Sequence, residues 1–428
     1  MVGVIVLILF TVLLLLRVPV SLSMLMASLV VLVAMGDVPL LVIPQYVIHG
    51  LSKFELLAVP FFILAAEIMN AGGLTRRIYA FALACVGWMT GGLAQVNVVA
   101  SIVFAGISGT AMADAAGLGR VEIKAMRDAG YDPAFSCAVT LTSCMIGPLI
   151  PPSVVMIVYA ITAEVSVGAM LLAGIGPGLF LALVLMTFIY GLVKSGRYHC
   201  PTVPRPSRRE LARVFWQGLP ALITPVIIVV GIISGLFTVT EAGIAACLYS
   251  FAVAVLVYRE ITVASFTRVV VRATLSSSMI MFLISTATVM AWLITREQVA
   301  AQAAAWFAGL SGEVWIQLLA LNVFLIFVGC MIEGLPALLI MVPVLLPVVQ
   351  GMGVDPVHFG VILVFNLLIG IITPPMGVGL FVVSNFTGVS IQSMVRACVP
   401  FLVPLLLTLG VITYVPELTL ALPRWLLQ

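Results

Sequence analysis

"CMIGPLIPPSVVM" (residues 144–156) and "LLIGIITPPMGVG" (residues 367–379) each set two adjacent prolines and at least one glycine inside a stretch otherwise apolar enough to cross a bilayer. Proline in a helix interior removes a backbone donor and clashes with the preceding turn, at a cost of about 3 kcal/mol. Each stretch therefore predicts a helix that unwinds at its middle. The two breaks also share one spacing. Pro151 and Pro374 are 223 positions apart, and so are Pro152 and Pro375. The same offset lays Phe104 on Phe327, Gly106 on Gly329, Gly130 on Gly353, Asp132-Pro133 on Asp355-Pro356, Gly147 on Gly370 and Pro177 on Pro400. Most of these matches are Gly or Pro, which fix backbone geometry, whereas chance identity in an apolar chain would favour Leu, Val and Ala. The pattern predicts an internal duplication: a first repeat over 1–195, a linker over 196–213 and a second repeat over 214–428.

The chain has 428 residues, 63% of them hydrophobic and 8% charged, with a mean hydropathy of +1.30. A soluble domain carries about 25% charged residues. Continuous apolar runs, rather than alternating ones, predict an all-α polytopic membrane protein and exclude a porin-like barrel. The first run, residues 2–16, lacks a basic leader and an A-x-A cleavage site, so it reads as a retained helix. A net charge of +3 gives no reason to expect nucleic acid. The seven cysteines (85, 137, 144, 200, 247, 330, 398) form no CxxC pair and read as small buried hydrophobes. Three histidines without HExxH, and no GxxxxGK[ST], argue against a metalloenzyme and a nucleotide hydrolase. No cofactor and no enzymatic activity are expected.

Hydropathy places spans near 2–16, 19–35, 54–70, 133–160 and 167–193, then near 219–236, 240–258, 276–295, 357–384 and 391–415. Residues 38–50, 74–90, 262–275 and 297–310 read as interfacial or connecting helices. Each half also holds an apolar region punctured at its middle, within 91–129 and 314–350, which predicts a re-entrant helical hairpin. The broken helices fall at 133–160 and 357–384. Five spans per half is an odd number, so the second repeat would be inverted relative to the first. With both termini outside, 16 of the 19 basic residues lie on the cytoplasmic side, leaving only Lys53, Arg296 and Arg424 outside. The basic, proline-containing segment 194–213 is then cytoplasmic.

Inverted repeats with broken helices are the architecture of secondary transporters, with the site between the repeats near the midplane. Unwinding frees carbonyls, which at about 2.4 Å suit a hard cation such as Na+ by analogy with other oxygen-ligated ions. The N-termini of the following half-helices offer free N–H groups and a positive dipole end to a carboxylate. The hairpin tips supply facing groups. "AGISGTAMADA" (105–115) brings Ser108 and Thr110, with Gly106 and Gly109 for close approach, and "VGCMIEGLPAL" (328–338) brings Gly329, Glu333 and Gly334. Ser108 or Thr110 could instead simply cap the returning helix, though a cap can also serve as a ligand. Asp114 and Glu333 fall in the first turn of a returning helix, where either dipole stabilisation or ion and proton coupling would suit them. Glu67 and Glu241, near span ends, read as scaffold or interface residues.

"FAGISGTAMADAAGLG", "IGPLIPPS", "FFILAAEIMNAGGL", "TEAG" and "IGIITPPMGVGLFV" resemble the large membrane subunit of TRAP transporters, the DctM-like permeases of the ion transporter superfamily. The resemblance covers essentially the whole chain. It implies an elevator-type, Na+-driven importer in the bacterial inner membrane. A separate small four-helix membrane subunit and a periplasmic substrate-binding protein would complete the system, and the cargo would be an organic anion. Carried over by motif, a first sodium site would use the tip residues Ser108, Gly109 and Thr110 with Gly147, Ile150 and Pro152. A second would use Gly329, Gly370, Thr373 and Met376. The anion would lie between them, near Ser108, Thr110, Ala111, Pro152, Ser153, Pro374 and Pro375, with Asp114 and Glu333 as possible coupling acids. The family often reads Ser-Gly-Ser-Ser at the first tip, whereas this chain has Ser108-Gly109-Thr110-Ala111, one hydroxyl fewer. The rival expectations are a stand-alone Na+- or H+-coupled carboxylate transporter or exchanger and, more remotely, an intramembrane enzyme.

Overall fold

The computed structural model describes residues 2–310, 312–375 and 377–427, and no strand occurs among them. The first half contains α1 (Val2–Leu15), α2 (Val20–Met35), α3 (Val42–Leu51), α4 (Ala58–Ala71) and α5 (Leu74–Val86). It continues through α6 (Gly92–Ser108), α7 (Ala111–Ala116), α8 (Leu118–Asp128), α9 (Pro133–Ser143), α10 (Val154–Ala163) and α11 (Val167–Lys194). The second half contains α12 (Arg208–Ile233), α13 (Val239–Ala252), α14 (Val263–Arg296), α15 (Val299–Leu310), α16 (Val314–Met331) and α17 (Gly334–Gly351). Then follow α18 (Pro356–Gly370), α19 (Val378–Thr387), α20 (Ile391–Cys398), α21 (Leu402–Tyr414) and α22 (Glu417–Leu427). Among the described residues, eight helices are long and apolar enough to cross a membrane. This is a multi-pass membrane protein.

The punctured regions are each interrupted near the middle, α6 being followed through Gly109 by α7–α8 and α16 through Ile332 and Glu333 by α17. The proline stretches separate α9 from α10 and α18 from α19. The arms of the second hairpin have 18 residues each, about 27 Å and thus as long as a crossing. In the first hairpin the returning arm is cut at Gly117, where φ −90° and ψ −86° leave the helical region. Positions matched at the offset of 223 adopt matched conformations. Asp132 caps α9 by accepting from Phe135 N at 2.7 Å, and Asp355 caps α18 by accepting from Val357 N at 2.8 Å. Proline follows each cap at the first helical position, where its missing N–H is not needed. Gly130 and Gly353 both take positive φ, +85° and +77°. Pro151–Pro152 and Pro374–Pro375 are both cis.

Two boundaries differ from the sequence reading. α12 begins at Arg208, inside the stretch assigned to the linker, because Ser207 caps it by accepting from Glu210 N at 3.2 Å. The 262–275 segment is not a separate connecting helix but the first part of the 34-residue α14. Thr262 and Ser265 start that helix with a capping box, and no Gly or Pro interrupts it before Arg296.

The linker is pinned along its length. Tyr198 stacks on Phe135 with centroids 4.1 Å apart, and Arg205 lies 4.3 Å above the Trp88 ring. The buried Tyr131 hydroxyl accepts from Leu93 N at 3.0 Å and donates to Pro201 O at 2.8 Å. Val203 N donates to Gly87 O at 3.0 Å. Elsewhere, Arg76 and Arg77 pair with Glu260, Arg296 pairs with Asp37, and Lys53 pairs with Glu164 at 3.2 Å. The Lys53 ammonium also donates to Ile161 O at 3.0 Å, in the last turn of α10.

Candidate functional site

The first break is assembled from backbone ends. After α9 a single 3-10 turn, Cys144–Ile146, tightens the chain. Backbone hydrogen bonds then end on Ile146 O and resume from Ser153 O. The carbonyls of residues 147–152 thus receive no backbone donor among the described residues. Ser153, fully buried, caps α10 by accepting from Met156 N at 3.2 Å. In the second break, Gly379 N reaches back to Ile371 O, and the carbonyls of residues 372–375 receive no backbone donor among the described residues. Thr373 Oγ1 donates to Ile369 O at 2.8 Å and keeps its lone pairs.

Each hairpin tip touches its own break. Gly109 takes φ +61°, which turns the chain between α6 and α7. A Cβ there would stand 2.9 Å from Pro152 O and 3.0 Å from Val154 N. Thr110 is extended and caps α7, its Oγ1 accepting from Ala113 N at 3.3 Å, so the capping role weighed from sequence is present. The Ser108 side chain lies outside the described residues. A Cβ on Gly147 would overlap the Asp114 carboxylate, which brings that acid against the first break. At the second tip, a Cβ on Gly329 would lie 3.0 Å from Leu367 Cα and 3.1 Å from Leu367 O, and one on Gly370 would overlap the Gly329 carbonyl. Gly329 and Gly370, predicted to share a site, are thus in backbone contact. Met376 lies outside the described residues.

Between the two tips lies a cavity of about 210 Å³, lined by Thr110, Ala111 and Met112 from one hairpin and Glu333, Gly334 and Leu335 from the other. The Glu333 carboxylate has no hydrogen-bond or ion-pair partner among the described residues. Of the residues expected around an anion, Thr110 and Ala111 line this cavity. Pro152 and Ser153 are buried beside the first tip, whereas Pro374 and Pro375 are exposed. Sequence reasoning missed Pro148 and Val155 in the lining, and also Ile280, which α14 contributes from outside the hairpins and breaks. It also missed Asn97, Asn322 and Asn366, buried amides in apolar helices. Their polarity at membrane depth was the available signal.

The described residues form an all-helical bundle in which each break meets the chain turn that precedes it. A solved structure titled as the YdaH transporter of Alcanivorax borkumensis superposes with a TM-score of 0.63 over 86% of each chain at 16% identity, which supports a shared fold alone. A family model described as "Tripartite ATP-independent periplasmic transporter, DctM component" matches residues 7–418. The chain belongs to this family of TRAP transporter large permeases, which are transporters and not enzymes. It is 41% identical over 406 residues to the sialic acid TRAP transporter large permease SiaM of Vibrio cholerae, covering 95% of each chain. It is 40% identical over 375 residues to the C4-dicarboxylate large permease DctM of Pseudomonas aeruginosa, covering 88% of this chain and 87% of that one.

Proposed function

We propose that this chain is the permease subunit of an Na+-coupled organic-acid importer, with the cargo bound in the cavity between the hairpin tips. The observation that carries the reading is the meeting of each tip with its own break, around carbonyls that lack backbone donors. Such oxygens suit Na+ by the same hard-ligand argument that serves other group-I and group-II ions. Glu333 at the cavity supports coupling: an acid facing an anionic cargo calls for a cation or proton between them. The named relatives carry sialic acid and C4-dicarboxylates, and a carboxylate is common to both. A small membrane subunit and a periplasmic binding protein complete the system, in keeping with the family's tripartite description.

The two inverted repeats would give an elevator. Hairpins and broken helices move as one body, and the remaining helices form the scaffold in the inner membrane. The ion pairs support the order of crossings, since each of the four joins two residues that it puts on one side; the excess of basic residues is what favours both termini being periplasmic. The test is uptake of a labelled organic acid into proteoliposomes holding the assembled transporter and its binding protein. An inward Na+ gradient should drive accumulation, and its replacement by K+ should abolish it. Accumulation unchanged without Na+ would refute the coupling. Uptake by this chain alone would favour the stand-alone transporter.

A further inference from the structure

Buried amides outside the proposed binding set bridge each hairpin to its break. In the second half, Asn366 Nδ2 donates to Asn322 Oδ1 and to Ile362 O, both at 2.8 Å. Asn322 Nδ2 donates in turn to Thr413 Oγ1 at 2.9 Å. Asn366 stands one turn before Gly370 on α18, and Asn322 stands two turns before Gly329 on α16. The hydrogen bond between the two amides therefore runs along the same helix faces as the Gly329–Gly370 contact. In the first half, Ser143 Oγ donates to Asn97 Oδ1 at 2.6 Å, and Asn97 Nδ2 donates to Thr140 Oγ1 at 2.7 Å. Ser143 stands one turn before Gly147, as Asn366 stands before Gly370. All of these side chains are buried.

We propose that Asn322–Asn366 and Asn97–Ser143 are positioning pairs, each fixing the register between the outer arm of a hairpin and the first half of its broken helix. The inference rests on the sodium reading of the tips. Apolar side chains alone would fill the seam without setting its register, since lipid and protein interior are equally apolar. A directional bond in a dry layer is lost if the helices slide. A slip of one residue is about 1.5 Å along the axis, and a misplacement of about 1 Å at a reacting centre can cost on the order of 100-fold. Stability alone does not account for Asn366. Its Oδ1 is buried without a partner among the described residues, an arrangement that works against stability.

The test uses the assembled transporter with Asn366→Leu, close in size but without the amide, and Asn366→Ser, which restores the hydroxyl donor that Ser143 supplies in the first half. Asn366→Leu should raise the half-saturating Na+ concentration about tenfold, the scale of one lost hydrogen bond, with the thermal midpoint retained, and Asn366→Ser should recover most of that loss. An unchanged Na+ requirement in Asn366→Leu, or equal impairment of both variants, overturns the proposal. Amide hydrogen exchange provides a readout free of sodium. In Asn366→Leu it should quicken across residues 329–334 and stay unchanged across 105–111. Unchanged exchange at the second tip overturns the pair even where wild-type uptake proves independent of Na+, a result that by itself refutes the coupling reading instead. If Asn366→Leu fails to fold, Asn322→Leu removes the other end of the bond and is read in the same way.

Discussion

Replacing Gly370 with alanine adds one methyl group where there is no room for it. The new Cβ would overlap the Gly329 carbonyl and stand 2.6 Å from Gly329 Cα, about 1 Å inside carbon–carbon contact distance. The three nearest atoms it meets are all backbone, so no rotamer change relieves the clash and the tip itself must retreat by about that distance. Overpacking of this kind costs roughly 1–3 kcal/mol, which leaves a multi-pass bundle folded. The retreat would also carry the Gly329 carbonyl away from the proposed cation, and a displacement of about 1 Å can lower a rate on the order of 100-fold. The assay is Na+-driven uptake in proteoliposomes, normalised to folded transporter by size-exclusion chromatography, with Gly410→Ala as control because nothing lies within 4 Å of its Cβ position. Gly147→Ala should be milder than Gly370→Ala, since its Cβ meets chiefly a side chain, the Asp114 carboxylate, where Gly370 meets backbone. Uptake by Gly370→Ala within about twofold of wild type would refute the reasoning, because 1 Å of tip displacement predicts far more.

Three further outcomes follow from the geometry. Thr110→Asn keeps a good helix cap and removes the hydroxyl, so an uptake defect with an unchanged thermal midpoint would mark Thr110 as a ligand, and normal uptake would reduce it to a cap. Glu164→Gln should leave thermal stability unchanged, because the Lys53–Glu164 pair is solvent-exposed on its acidic side and such pairs contribute about 0–1 kcal/mol; a drop of several degrees would contradict this. Burial pushes the Cys200 thiol up to about 11, so its thiolate is scarce at neutral pH. Maleimide labelling at Cys200 should be slow at pH 7 and rise steeply above pH 9, and rapid labelling at pH 7 would show that the linker is not packed down.

Backbone requirements leave marks in residue type, and those were legible. The paired prolines, the glycines at 109, 147, 329 and 370, and the Asp-Pro caps at 132 and 355 each answer a local geometric need that few other residues meet. The Asn seam was not legible by the same route. Asn97 and Asn322 are 225 positions apart rather than 223, and Ser143 stands where the second half has Asn366, so a single-offset comparison passes over both pairs. Their role depends on helices remote in sequence meeting at one register. The cavity lining was equally silent, since nothing about Ile280 or Val155 as residue types separates them from their lipid-facing neighbours. The 262–275 stretch reads as a separate connecting helix because it is more polar than 276–295, although no residue in α14 breaks a helix.

The linker strap limits how far parts of this molecule can travel. With Val203 N bound to Gly87 O, only residues 204–207 remain as slack before α12 begins at Arg208. Five extended steps of chain reach at most roughly 17 Å. The corner between α5 and the first hairpin is therefore on a short leash to the start of the second half. A stroke that carries them further apart must first unzip the strap, and Tyr131, joined to both Leu93 and Pro201, is the fastener.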